Sequence, residues 1–442
     1  MSARRAPPPP RGAPTLPTVP AFAQPAPGGP GWLAQQRRRA ADGFAASALP
    51  TDHEEIWRYS RIGDLDLGDF TPVAPAPAGP DRVPAGIEAV MAAAAGPGTA
   101  VVLSAGGAPP RTLTPAPPGI DVEQPGDQPW PLGHIVGDTD AFSLLNTAQA
   151  PHPVRVRVTR RAPADAAVVV VNWLEDDGAA HFPRLLVEVE ADARASVLEV
   201  TASPDVASLV VPLTELAVGP GARLRYTNVQ LLGPRAWQIA LQASRVEADA
   251  TLTSASVVLG GDYARLRTDS ALVGRGATGR LLAVWFAAGT QMPDLRTVQD
   301  HQAPHTTSDL VFKGAVADHA HSVYTGVIRV AKGAKGTNAM QTNRNLVLDE
   351  GAAADSVPNL EIEDNDVRCS HASAVGPIDE DQLFYLESRG VPTETAARLI
   401  ALGFLDDVVA QVPNPGLVGW LRLEIARRLQ AAWAPAGAGV GA

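Results

Sequence analysis

The densest group of side chains able to do chemistry is Glu361-Ile-Glu363-Asp364-Asn-Asp366-Val-Arg-Cys369-Ser-His371. A thiolate and an imidazole are suitable ligands for iron, zinc or an iron-sulfur cluster. Two apart on an extended segment, Cys369 and His371 point to the same face with Cα atoms about 7 Å apart, so both reach one metal site. Two ligands leave such a site half filled, and a metal or cluster held there needs further ligands from another chain. The spacing alone favours a structural reading, with Cys369 a small buried hydrophobe and His371 a hydrogen-bonded loop residue. The acidic run ahead of the pair reads as a solvated turn and receives no ligand role.

Two other histidine pairs, His301 with His305 and His319 with His321, read as exposed solenoid positions rather than as metal ligands. Catalytic motifs are missing. Gly333-Ala-Lys-Gly-Thr337 lacks the spacing of a phosphate loop, with its lysine not next to the hydroxyl, and neither GxSxG nor HExxH occurs. The single cysteine allows no intrachain disulfide and no zinc site built of local thiolates. A net charge of −11 offers no broad basic field for a phosphate backbone, so nucleic acid is not an expected partner. The N-terminus has no apolar secretory core and no run of about 20 apolar residues follows, which predicts a soluble, cytoplasmic chain without membrane insertion.

The elements that must position Cys369 and His371 are mainly β. Residues 1–30 are too rich in proline to fold and form an expected disordered tail. The region 31–150 reads as helical, with a helix over 32–48 whose Arg37-Arg38-Arg39 run forms a solvated face. Thr51 and Glu54 resemble a capping box ahead of a short helix, and 138–149 is a last helix. From Val154 the chain turns to period-two runs such as Val154-Arg-Val-Arg-Val158 and Leu186-Val-Glu-Val-Glu190.

Small-residue turns punctuate these runs, with alanines at 193, 222, 250, 277, 315, 334 and 352 and intervals of 29, 28, 27, 38, 19 and 18 residues. Such recurrence predicts a solenoid, best a right-handed parallel β-helix over 151–376, with a β-sandwich as the competing arrangement. Residues 377–442 read as a helical domain. Its first helix is capped by Asp379 and stopped by Gly390, the second spans 393–402 and ends at Gly403, and the third spans 416–433.

Several segments together resemble one family. They are Trp57-Arg-Tyr-Ser60, Ser322-Val-Tyr-Thr-Gly-Val-Ile-Arg-Val330, Gln341-Thr-Asn-Arg-Asn-Leu-Val-Leu348, Ala354-Asp-Ser-Val-Pro-Asn-Leu-Glu-Ile362, Cys369-Ser-His371 and Asp379-Glu-Asp-Gln-Leu-Phe-Tyr-Leu386. The chain resembles the SufB/SufD family of the SUF iron-sulfur cluster assembly system, from residue 32 to about 410 and densely after 300. The lone cysteine is closer to SufD than to SufB, the principal cluster scaffold. The resemblance implies a non-catalytic scaffold that pairs with SufB through the β-helix and docks the SufC ATPase, which binds the ATP, through the C-terminal helices. It further implies that a transient iron-sulfur cluster forms at the SufB interface with no cofactor held by this chain alone, and that His371 matches the family's histidine in the Cys-x-His segment. After that histidine the chain has Ala-Ser-Ala-Val where the family has a Gly-Ala-Thr-like run. A carbohydrate-binding or carbohydrate-active β-helix and a purely structural interaction protein are the alternatives, the former weakened by few aromatics.

Overall fold

Period-two runs with one apolar face become strands that stack in register, and the stack is a β-solenoid of about eight turns flanked by helices. The computed structural model describes residues 20–96, 98–137 and 140–433; the greater part of the proline-rich tail and positions 138 and 139 lie outside the described residues. Successive strands alternate between two sheets. One sheet runs from Val154–Val158 to Ala353–Ile362, the other from Thr99–Ala105 to Val367–Gly376. Every pairing between neighbouring coils from Val154 onward is parallel, which replaces the sandwich arrangement by the solenoid.

Arg194, Arg223, Thr251, Thr278, Thr307, Asn338 and Arg368 stand side by side along one sheet, so a coil takes 29, 28, 27, 29, 31 and then 30 residues. The turn alanines 193, 222, 250, 277 and 334 close one corner of these coils, each N–H bonded to the carbonyl three residues earlier. Ala352 closes the opposite corner. Ala315 sits inside the strand Thr307–Val316, where it is fully buried, and not in a turn. The shortened intervals after Ala277 therefore come from mixing two corners and a strand position, not from shorter coils.

At the first corner Asp192, Gly221, Asp249, Gly276, His305 and Gly336 are all left-handed, with φ of 55–74°, and each donates its N–H to a carbonyl of the next coil. A Cβ on Gly221, Gly276 or Gly336 would lie 2.3–2.5 Å from the side chain of Asp192, Asp249 or His305, so the side chain of one coil covers the bare Cα of the next. Alternation of glycine with a polar residue follows from that stacking.

The N-terminal segment carries α1 (Gly31–Ala46), α2 (Glu88–Ala94) and α3 (Ala141–Gln149), interleaved with strands Thr99–Ala105, Arg111–Thr114 and Ile120–Glu123 that extend the solenoid sheets. Asp140 and Ser143 form a capping box on α3. Only half of a box forms at Thr51, whose N–H donates to Glu54 Oε1, and a single 3-10 turn follows. Of the arginine run, Arg38 and Arg39 are exposed, but Arg37 is buried. Its guanidinium donates to the carbonyls of Gly28, Ala150 and Pro151 at 2.7–2.8 Å, tying α1 to the end of α3. A solvated face thus holds for two of the three arginines.

After the last coil come α4 (Glu380–Ser388), α5 (Thr393–Val409) and α6 (Pro415–Ala432). Asp379 caps α4 through the N–H of Gln382, and Gly390 follows its end at φ 85°. Gly403 does not stop α5, because Leu405, Val408 and Val409 beyond it are drawn into the apolar layer between helices and sheet. Tertiary burial there outweighs the roughly 1 kcal/mol helical cost of a glycine.

Candidate functional site: the open end of the solenoid

Parity fixes which side chains enter the lumen. In Thr337–Val347 the odd positions from 337 to 345 are buried and the even ones from 338 to 344 are not, and the in-register strand Val367–Gly376 aligns Cys369 on Ala339, His371 on Gln341 and Ser373 on Asn343. Cys369 and His371 therefore share the inner face, as their spacing predicts. His371 is nevertheless exposed and Cys369 half-buried, because no further coil covers them. The facing strand Ala353–Ile362 is the open edge of the other sheet, and its Leu360 and Ile362 are 39 and 42 % exposed. The lumen thus ends in an uncapped mouth.

The mouth has two halves. On one side Val367 and Cys369 pack on Ile328, Val330, Ala334 and Ala339. Burial there pushes the Cys369 thiol pKa up, partly offset by a hydrogen bond with the backbone of Ala339. On the other side Ser373 Oγ bonds Ser356 Oγ at 2.7 Å. Ser356 bonds Asn343 Oδ1 at 2.8 Å, and the same oxygen accepts from Asn345 Nδ2 at 2.7 Å. Between the halves lies Gln341, 1 % exposed, with neither amide atom hydrogen-bonded. An unpaired buried amide costs about 1–3 kcal/mol.

One coil deeper the middle of the lumen is apolar, beside a buried polar group of Gln299, His301 and Ser308. Leu310 and Phe312 stand where Gln341 and Asn343 stand above, and Phe312 packs against Trp285 and Tyr324 with ring centroids 6.5 and 5.5 Å away. Leu281 and Leu295 complete this plug. A Cβ at Gly314 would fall 1.8 Å from the Trp285 ring, and one at Gly326 2.2 Å from Tyr324 Oη and 2.5 Å from Gln341 Nε2. Both glycines are required by the close approach of those side chains.

The acidic run is structural. Glu361 pairs with Arg329 at 2.8 Å, and Asp364 accepts from the N–H groups of Asp366 and Gly333 at 3.1 Å, with its pKa lowered first by the Asp366 bond. Among the other histidines, His301 departs from the exposed reading. It is fully buried, with its ring nitrogens 2.7 and 2.8 Å from the hydroxyls of Thr306 and Ser308, and burial lowers its pKa to about 4. His305 and His319 are exposed, and His321 bonds Asp355 at 2.7 Å. Among the described residues no group of three or more His, Cys, Asp or Glu could hold a metal ion. No described helix is long and apolar enough to cross a membrane.

The C-terminal helices lie on the outer face of the second sheet, where Leu405, Val408, Leu417, Leu421, Ile425 and Leu429 pack against the solenoid core. Lys313 pairs with Asp407 at 2.5 Å and lies 4.6 Å from the Phe404 ring centroid. On the same helices Phe384, Tyr385, Leu399 and Leu423 are 51–74 % exposed. The Trp57 segment is bound by an arginine network: Arg265 stacks on Trp57 at 3.7 Å and bonds Ile56 O, Arg296 bonds Arg58 O, and Asp294 joins both guanidinia. Gln341 and Lys313 were not found by motif, because their roles depend on register between coils. The glutamine's only sequence signal is its place in Gln341-Thr-Asn-Arg-Asn.

Residues 172–404 match the family described as "SUF system FeS cluster assembly, SufBD core domain". An "Iron-sulfur cluster assembly SufBD family protein" of Mycobacterium tuberculosis is 37% identical over 226 residues, 49% of this chain and 55% of that protein. A Mycobacterium leprae protein of the same description is 40% identical over 175 residues, 38% of this chain and 45% of the relative. One from Staphylococcus saprophyticus is 26% identical over 284 residues, 64 and 61% of the two. The chain spans about half the length of the curated mycobacterial relatives it matches.

Proposed function

Since this chain belongs to the SufBD family of iron-sulfur cluster assembly proteins, we propose that it works as the SufD-type scaffold subunit of an assembly complex in the cytoplasm, without catalysing a reaction itself. On this reading the open solenoid end pairs with a SufB chain, the exposed face of the C-terminal helices docks SufC, and ATP is bound by SufC alone. The cluster is cargo, held transiently at the junction. His371 is the donor this chain presents to it, with the Cys369 thiol beside it. Because burial raises the pKa of that thiol, a metal must displace its proton before binding.

The observation that carries the reading is the mouth itself. Two ten-residue strands, Ala353–Ile362 and Val367–Gly376, end their sheets with free edges and uncovered inner side chains, while the inner positions of earlier coils are buried. Free parallel edges are templates for a further strand, which the terminal coil of a second solenoid would supply. With the family assigned, the carbohydrate-binding alternative has no support from the site. The test is His371→Ala in a complementation assay with assembly of the complex followed in parallel. The expected variant folds and assembles normally but delivers clusters poorly; wild-type delivery from an assembled complex would remove His371 from the site and leave only the scaffold role.

A further inference from the structure

The mouth is one coil deep. Below Gln341 and Asn343 the plug of Leu310, Phe312, Trp285 and Tyr324 closes the lumen, so whatever meets His371 comes from the partner or solvent and not along the solenoid. Within this vestibule the polar atoms are nearly all accounted for. Ser373, Ser356, Asn343 and Asn345 bond one another, and Tyr324 Oη lies 3.0 Å from Thr297 Oγ1. Asn343 leaves only its Nδ2 unpaired, whereas Gln341 has neither of its amide atoms bonded. Its carboxamide is buried with no partner at either atom, and the bare Cα of Gly326 provides the space it fills.

Directly above it in register stands His371. In-register neighbours on parallel strands are about 4.8 Å apart with side chains on the same face, within reach of a glutamine amide to an imidazole ring. A buried amide left unpaired inside a protein points to a group that completes it. Cys369, by contrast, faces the apolar half of the mouth, packed against Ile328 and Ala339.

Resting on the reading of His371 as the interfacial donor, we infer that Gln341 is its positioning residue: a side-chain rotation from its place over Gly326 lets the carboxamide oxygen accept from one ring N–H of His371 and leaves the other nitrogen's lone pair facing the partner. Ligand histidines generally depend on such a second hydrogen bond, and its loss costs roughly 10–100-fold in metal affinity or activity. Cys369 then acts mainly in packing the mouth.

The experiment is 15N NMR of the histidine side chains in the full-length chain at a pH where imidazole is neutral, with His371→Gln assigning the resonance. One tautomer is expected to dominate in the wild type. In Gln341→Met, which keeps length and burial without an acceptor, both tautomers should be populated, while Gln341→Glu, which keeps the acceptor, should restore one. In the assembled complex Gln341→Met should lower the rate of cluster formation 10–100-fold, with Gln341→Glu retaining more of it. An unchanged tautomer in Gln341→Met overturns the contact, and mixed tautomers with wild-type cluster formation overturn the positioning role. Because the NMR measurement needs neither partner nor cluster, its outcome is independent of whether His371→Ala fails in complementation.

Discussion

Leu360→Asp tests whether the mouth is the pairing surface. Leu360, Ile362 and Val375 remain 39, 42 and 44 % exposed at the open end. Full burial of such a side chain is worth about 1.5–3 kcal/mol, so covering the remaining two-fifths of each contributes about 0.6–1.2 kcal/mol, or about 2–4 kcal/mol for the three. An aspartate at 360 loses one share and places a carboxylate in a closing apolar interface, where an uncompensated charge costs about 3–5 kcal/mol. Together the penalty is about 4–6 kcal/mol, at least roughly a thousandfold in affinity. In the free chain the same carboxylate stays in water, so unfolding should shift by less than about 1 kcal/mol. Calorimetric titration against the purified SufB chain of the same cell, with thermal unfolding of each variant, separates the two effects. Pairing within tenfold of wild type by a folded Leu360→Asp chain would refute the mouth as the interface.

Two further outcomes are expected. Phe384→Asp combined with Leu423→Asp, at positions 70 and 74 % exposed, should abolish capture of SufC while pairing with SufB persists, read by co-purification of all three chains. Stability should fall on acidification, because the folded-state pKa of His301, about 4, lies below its ordinary 6.5. The unfolded chain then binds more protons, so this contribution is complete above pH 6.5 and is lost as pH drops towards 4. At pH 4.5 the loss amounts to about 2–3 kcal/mol, and denaturant unfolding of His301→Gln should show a correspondingly shallower acid slope.

The sequence carried the architecture because the solenoid repeats a local rule. Apolar alternation marks the inner face, and the turns over 193, 222, 250 and 277 recur at the true coil length. The count failed after Ala277, where Thr306 and Thr337 take its register position, Ala334 stands three residues ahead of that position, and small residues of the other corner enter the tally. Cys369 and His371 were legible as sharing one face, since parity depends only on the local chain. Their setting was not. That Cys369 rests on Ala339 and His371 on Gln341 depends on a 30-residue step, one residue shorter than the coil before it and one to three longer than the earlier ones, which no local pattern encodes. Arg37 and Gly403 misled for a related reason: an arginine that meets three carbonyls and a glycine under an apolar layer behave according to partners remote in sequence.

One strand joins the two surfaces on which the proposed complex depends. Thr307–Val316 sends Leu310, Phe312 and Gly314 into the lumen, where they form or admit the plug beneath the vestibule, and sends Lys313 outward to Asp407 of α5. Deleting the C-terminal helices would therefore do more than remove a docking face, for it would uncover the apolar outer sheet against which Leu405, Val408 and Leu421 pack and leave the buried Lys313 without its carboxylate. Parallel strands hydrogen-bonded on both sides shift together or not at all, since each ladder bond fixes its neighbour's register. The floor of the vestibule and the anchor of the helices thus belong to one rigid element, one strand removed from Gln341 and two from His371, which makes exposed point substitutions on α4 and α6 the sound probe of docking and truncation a poor one.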